Sequence, residues 1–499
     1  ILFLAGFGKY EIYVLLIAIV EKLGEDIAPY AVGLTQNLVA AFWKLVAAED
    51  DKDDDDVGGA LATVGCLRAV ATILESASSL PHLYVQLEPT LMPIMRKMLT
   101  QDGYDVYEEV LEICSYMTYY APAVSPGMWE LWPIMVDALQ TWGMQYFENV
   151  LVPMDNYISR GTETFLATQQ CKEDVLRLAS GVLMSPEMQD PECFPAPKLL
   201  ECVLQNCRGR VDDMVPTMLV VALTRLEKTS LKYLRDLLIQ VVANCLYYDP
   251  GLTLGILEKN NQLQPALGTW FAMLGARTKT GQRKHHKREH DKKVCALGLL
   301  ALLSAPSDRV PADVRAGLGR VADALVALLV DLKAQIAARK EEEAEFSANG
   351  GRFWDDEDDE YDEELGEEGD EGDAQLEMDD AQLAKLAARA QRVNPYGDAG
   401  GDSEDDSDDD GMLTDDENVT SPIDKIDPFV AFAEMMQGMQ GTDPAKFAVV
   451  NGGLNPERQQ NARELMDHAV VRVAEIAKET EEEEKKKAEK AAKAAARHA

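Results

Sequence analysis

No Cys-x-x-Cys pair, His-Glu-x-x-His pattern, phosphate-cradling glycine loop or nucleophile elbow occurs in these 499 residues. The common signatures of zinc, nucleotide and acyl-transfer chemistry are therefore missing. The sequence is read as that of a non-enzyme, with no catalytic residue, cofactor or metal ion assigned. Positive charge is scarce: 48 Lys and Arg stand against 87 Asp and Glu, a net charge of −39. Such a balance repels polyanions, so nucleic acid and anionic membrane are poor partners and basic proteins are good ones. Long apolar runs are lacking as well. The longest early one, Val14 to Val20, is too short to span a bilayer and lies between Glu11 and Glu21, which predicts a buried helix and no membrane insertion. Strand punctuation is sparse over the first 340 residues, where Leu and Ala abound instead.

Cysteine is present eight times (66, 114, 171, 193, 202, 207, 245 and 295), scattered through apolar stretches. These residues read as small core side chains in a reducing compartment. Among the six histidines only His285, His286 and His290 lie close together, inside a basic run, and that spacing does not suit zinc. The chain starts at Ile1 rather than Met, which suggests a fragment.

From Lys9 to about Arg339 the pattern is helix, short break, helix. Leu231, Leu234, Leu238, Val241 and Cys245 recur at three- and four-residue steps, as do Val314, Leu318, Val321, Leu325, Leu328 and Leu332. Ser125-Pro126, Ser185-Pro186 and Asp249-Pro250 each offer a capping side chain followed by a first-turn proline, so a helix is expected to start at each. Fifteen candidate helices, paired, give units of about forty residues, the period of HEAT or armadillo arrays. The expected fold is all-α: a HEAT-repeat-like α-solenoid over 1–340, a disordered acidic segment over 341–422, a short helical coda over 423–470 and a charged helical or disordered tail over 471–499.

Two charged loops interrupt the array. Glu49 to Asp56 puts seven carboxylates in eight positions and must face solvent. The run Lys279 to Lys293 is its basic counterpart and reads as a solvated loop, with a localisation signal or an acid-binding patch as the alternatives. Farther on, residues 355 to 417 hold 28 Asp and Glu against Lys385, Arg389 and Arg392. That balance of −25 leaves 14 of the net negative charges to the rest of the chain. Too few apolar groups are present there to offset the entropy of ordering, apart from a short helix expected at 374–392. Ile423, Ile426, Phe429, Phe432, Met435, Met436 and Met439 then form an amphipathic segment, and Asn455-Pro456-Glu457 opens a last helix.

The candidate functional residues lie in the acidic tract. Asp355, Asp356, Glu357, Asp358, Asp359, Glu360, Asp405, Asp406, Asp408, Asp409 and Asp410 are candidate contacts for basic cargo. Ser403, Ser407 and Thr414 each carry an acidic residue three positions on, the spacing of acid-directed phosphorylation. Trp354, just ahead of the tract, is a candidate docking anchor. Trp129, Trp132, Trp142, Tyr146, Phe147 and Tyr157 could line a peptide pocket, but large aromatic residues at helical spacing more often belong to a core.

Several long blocks resemble one family. SPGMWELWPIMVDALQTWGMQYFENVLVPMDNYISRGTETFL (125–166), APKLLECVLQNCRGRVDDMVP (196–216), LYYDPGLTLGILE (246–258) and HDKKVCALGLLALL (290–303) are similar to the importin-7/8 branch of the importin-β superfamily. The order of parts is similar too: last repeats, acidic tract, then the coda DPFVAFAEMMQGMQGTDPAKFAVVNGGLNPERQQ (427–460). The resemblance covers most of residues 100–340 and part of the coda. It implies a nuclear import receptor that shuttles between cytoplasm and nucleus, carries basic proteins such as ribosomal proteins or histones, touches Phe-Gly nucleoporins at the pore and releases cargo to Ran·GTP. Partnership with importin-β is implied as well, and the main Ran-binding repeats would lie upstream of this chain. An exportin of the same superfamily and an acidic chaperone for basic nuclear proteins are the alternatives.

Overall fold

The structure, a computed structural model, describes residues 16–20, 22, 27–49, 57–348 and 421–497. Among them there is no strand; the one β-type pairing is an isolated bridge between Arg277 and Arg283. The chain divides into two compact units. One comprises residues 1–270, 305–311 and 418–426, and the other 271–304, 312–417 and 427–499.

The first unit holds α1 (Ala28–Glu49), α2 (Val57–Ser76), α3 (Pro81–Met98), α4 (Tyr107–Tyr120), α5 (Pro126–Trp129), α6 (Trp132–Thr141), α7 (Phe147–Arg160), α8 (Thr162–Ala167), α9 (Gln169–Leu183), α10 (Pro195–Asn206), α11 (Val215–Leu226), α12 (Lys232–Tyr248) and α13 (Pro250–Lys259). They stack in two ranks. Helices α2, α4, α7, α10 and α12 each pack on the next, and so do α1 on α3 and the run α6, α9, α11 and α13. This is the helix-pair stacking of a HEAT-like array, in which each pair buries its apolar stripe against its neighbours. Helix α12 is buried nearly all round, from Leu234 through Tyr248, because it sits against α10, α11 and α13. Helix α1 is long and apolar enough to cross a bilayer by those criteria alone, yet its Leu38, Phe42 and Leu45 are buried, and it packs on α2 and α3.

Helix starts follow the expected chemistry at two of the three marked sites. Ser125 Oγ accepts from the Met128 N–H at 3.0 Å and Asp249 Oδ1 from the Leu252 N–H at 3.0 Å, at the first turns of α5 and α13. No helix starts at Ser185-Pro186. Arg225 reaches this turn from α11 and donates to Ser185 O (3.2 Å), Met188 O (2.9 Å) and the Asp190 carboxylate, holding the segment in a non-helical course.

The eight cysteines are all buried and unbridged. The aromatic stripe divides. Trp132, Phe147 and Tyr157 are core; the Trp132 indole N–H donates to Asp174 at 3.1 Å, and the Tyr157 hydroxyl donates to the Met128 carbonyl.

Helix α14 (Leu263–Gly275) straddles the division between units. The second unit holds α15 (Glu289–Ser304), α16 (Ala312–Ala316), α17 (Leu318–Ala348), α18 (Pro428–Thr442), α19 (Pro444–Gly452) and α20 (Pro456–Arg497). The coda is thus a structural part of a bundle: α18 packs on α15 and α20, and α19 and α20 pack on α17. Phe429, Phe432, Met436 and Met439 fill the seam, and Asp427 caps α18 while pairing with Arg472 of α20 at 2.9 Å. Helix α17 meets the end of α19 at two glycines. A side chain on Gly453 would lie 2.4 Å from the Gly319 Cα, so backbone touches backbone there.

Candidate docking site

Of the stripe, Trp142 and Tyr146 lie outside the core and meet Tyr104 at one place in the first unit, while the half-buried Trp129 packs on Trp132 and Tyr157. Between α3 and α4 the chain makes a 3-10 turn, Gln101–Val106, which folds back so tightly on Met98 that a Cβ at position 103 would lie 2.2 Å from the Met98 carbonyl oxygen. Glycine at 103 therefore permits the turn and places the next residue, Tyr104, on the surface with half of it exposed. The end of α6 presents Trp142, and the turn before α7 presents Tyr146.

These rings meet edge to face or tilted. Tyr104 lies 6.1 Å from Trp142 and 5.8 Å from Tyr146, centroid to centroid, and the buried Tyr107 lies 4.9 Å from each of those two. Such packing stabilises by about 0.5–1.5 kcal/mol per pair beyond area burial, so the cluster is a firm platform. Beside it runs a groove of about 510 Å³ lined by Leu99, Thr100, Gln101, Ile134, Asp137, Ala138, Thr141 and Trp142. Trp142 belongs to both.

The surroundings are acidic. Asp102, Asp105 and Glu108 lie on the turn and the first residues of α4, and Asp137 lies in the groove; all four are exposed. Among the described residues none of the four takes part in an ion pair. Burial, helped by Tyr104, Glu108 and Asp105, pushes the Tyr146 phenol up to about 12. The Tyr107 hydroxyl is buried beneath the platform with no hydrogen-bond partner among the described residues.

A second constellation fixes the chain where the acidic tract ends. Ser421, Pro422, Ile423 and Asp424 form a capping box: the Ile423 N–H donates to Ser421 Oγ (3.2 Å) and the Ser421 N–H to Asp424 Oδ2 (2.8 Å). The Ser421 hydroxyl also donates to Gln205 Oε1 on α10. Gln205 Nε2 donates on to Asn244 Oδ1 at 3.0 Å, and Asn244 Nδ2 to the Gln240 carbonyl at 3.0 Å. Gln205, Asn244 and Gln240 are buried, and Ile423 is 1% exposed.

The family profile described as CAS/CSE protein, C-terminus, matches residues 67–350, more than half of the chain, from within α2 to the end of α17. The chain belongs to the CAS/CSE family. Among curated relatives of this family member are the importin beta-like SAD2 homolog of Arabidopsis thaliana, 45% identical over 92% of this chain and 44% of the relative, and a probable importin-7 homolog of Dictyostelium discoideum, 31% identical over 58% of this chain and 26% of the relative. Human importin-8 is 28% identical over 64% of this chain and 30% of its own length. The chain spans less than half the length of these relatives. No solved structure matches it.

The acidic cargo candidates (355–360, 405, 406 and 408–410), the phosphorylation candidates Ser403, Ser407 and Thr414, Trp354, the 374–392 helix and most of the Glu49 to Asp56 run lie outside the described residues. Described residues on either side show only where the long tract is tied: to α17 before it and to the Ser421 turn after it.

The basic run 279–293 departs from the solvated loop expected. Lys279, Lys284 and Lys287 are exposed, but Arg283 is buried, donating to Asp331 Oδ2 at 2.5 Å and to the Leu274 carbonyl at 2.8 Å. Arg277 reaches the same carboxylate at 3.1 Å. Arg288 pairs with the buried Asp291 at 2.7 Å, and Lys292 donates to the Lys287 carbonyl at 2.7 Å and to Gln335. Burial, with Arg283 nearby, lowers the Lys292 ammonium to about 8. Much of this cationic charge is internal counter-charge that stitches the loop to α17.

Sequence reasoning missed Tyr104 and Asp137, since a single Tyr after a Gly and a single helical Asp carry no pattern. It also missed Ser421, although Ser-Pro is the same start signal read correctly at Ser125.

Proposed function

We propose that this chain is the C-terminal part of a nuclear transport receptor that imports basic proteins. Membership of the CAS/CSE family over residues 67–350 carries the reading, and relatives named as importins support it. In this reading the solenoid is a binding scaffold rather than an enzyme, and the protein shuttles between cytoplasm and nucleus through the pore. Phe-Gly nucleoporins, importin-β and Ran·GTP are its transport partners, with Ran met chiefly upstream of this chain.

The tract 355–417 supplies the cargo chemistry. At physiological salt the Debye length is about 8 Å, so charges act only where they come close to the client. Exposed ion pairs are each worth about 0–1 kcal/mol, and a dozen of them sum to micromolar affinity while still letting go quickly. Asp355 to Glu360 and Asp405 to Asp410 are the densest contacts in this scheme. Phosphates on Ser403, Ser407 and Thr414 would each add about −1.5 to −2 charges and tighten it. Deleting 355–417 is expected to weaken binding of a core histone at least roughly tenfold, about 1.4 kcal/mol, and to flatten its salt dependence. Unchanged affinity and salt dependence, with the helices still folded by circular dichroism, would remove the cargo role and leave solubility as the tract's purpose.

A further inference from the structure

We infer that the groove between α3 and α6, with the Tyr104, Trp142 and Tyr146 platform at its edge, binds an arginine side chain on an unfolded basic segment of the cargo. The inference rests on the basic-client reading and gives it a structured site, separate from the acidic tract.

Three observations converge there. First, an exposed aromatic ring is held on a rigid support: Tyr104 is half exposed while Tyr107 locks the other two rings from below at 4.9 Å. A cation over such faces is attracted by their quadrupoles, and the planar, weakly hydrated guanidinium stacks better than an ammonium does. Second, the field is negative, and Arg68, which acts on Glu108, is itself paired with Glu109 at 3.2 Å. Asp137 lies in the groove, Asp102, Asp105 and Glu108 ring the platform, none of the four is ion-paired among the described residues, and none of the groove's lining residues is basic. Third, Leu99, Ile134 and Ala138 give the groove an apolar floor that suits the methylene stem of an arginine, which buries its carbons while its head stays polar. The two positive charges in the last turn of α3 are turned to other partners: Arg96 pairs with Glu130 at 2.6 Å and Lys97 lies 5.8 Å over the Trp43 ring.

A neutral apolar or Phe-Gly peptide would use the floor and the rings but would leave the four carboxylates without a role. Charge complementarity therefore selects the basic occupant. Because the site is ordered and aromatic it discriminates arginine from lysine, whereas the acidic tract offers charge alone.

The test uses the whole 499-residue chain and fluorescent poly-arginine and poly-lysine peptides of equal length. Intact protein is expected to favour the arginine peptide by roughly threefold or more, from one stacked guanidinium. Tyr104→Ser and Asp137→Asn, both at exposed positions, should each erase that preference, and deletion of 355–417 should weaken both peptides while keeping it. Equal affinity for the two peptides in the intact chain, or a preference that survives both substitutions, overturns the groove as an arginine site. So does a Phe-Gly peptide whose binding those two substitutions abolish while the arginine preference remains. If the intact chain binds neither basic peptide, the basic-client reading itself fails, a result distinct from loss of the preference alone.

Discussion

Glu112 shows how a single carboxyl records the cost of the array's packing. It sits on α4 with Tyr116 donating to it at 3.2 Å, and burial together with Glu109 and Glu75 pushes it up to about 7, against the opposing pull of the Tyr116 hydroxyl and of Arg68. The folded chain therefore holds this proton more tightly than the unfolded chain does. Stability falls as pH rises from about 4.5 to about 7, and the full loss is present above that window. Glu112→Gln keeps an acceptor for Tyr116 and removes the charge. It is expected to raise stability in urea denaturation by roughly 1 to 3 kcal/mol at pH about 8 and by almost nothing at pH about 4. An equal gain at both pH values would show that the charge is not the cause.

At the scale of elements, helix starts were legible where the cap and its helix are neighbours in sequence. Ser125 and Asp249 both bond the third N–H on, and Asn455 does the same to Arg458 at 2.8 Å. Ser185 looks identical in sequence, but what decides its fate is Arg225, forty positions later, and no local pattern announces that partner. The coda's apolar spacing marked α18 correctly, yet not that it would pack on α15 and α20. Likewise, the composition of the basic run could not show that Arg283 and Lys292 find partners on α17, at Asp331 and Gln335. The Ser421 turn is a further case of long-range satisfaction, since its hydroxyl ends a buried polar ladder through Gln205, Asn244 and Gln240. Ser421→Ala would leave Gln205 Oε1 buried without its donor, at a cost of about 1–3 kcal/mol. Amide exchange of residues 423–426 is expected to speed accordingly, while α10 keeps its protection and Ser421→Thr restores the turn. Unchanged exchange in Ser421→Ala would show that the ladder does not hold the turn.

For the whole molecule, charge and fold are divided along the chain. Apolar spacing specified the helical array, and composition alone isolated the −25 tract. The site argued from the structure, by contrast, needed three dimensions: Tyr104 lies on the turn after α3, Asp137 and Trp142 on α6 and at its end, and Tyr146 on the turn before α7, and they meet only once α3, α4, α6 and α7 stack. The central claim is that these parts serve a receptor that carries basic proteins into the nucleus and is discharged there. It is tested most directly with the complete protein, of which this chain is expected to form the C-terminal part, by capturing a core histone with and without Ran·GTP. Release of the histone on adding Ran·GTP is the predicted result; joint capture of histone and Ran·GTP would make the protein an exportin, and indifference to Ran·GTP would make it a chaperone, either of which contradicts the account.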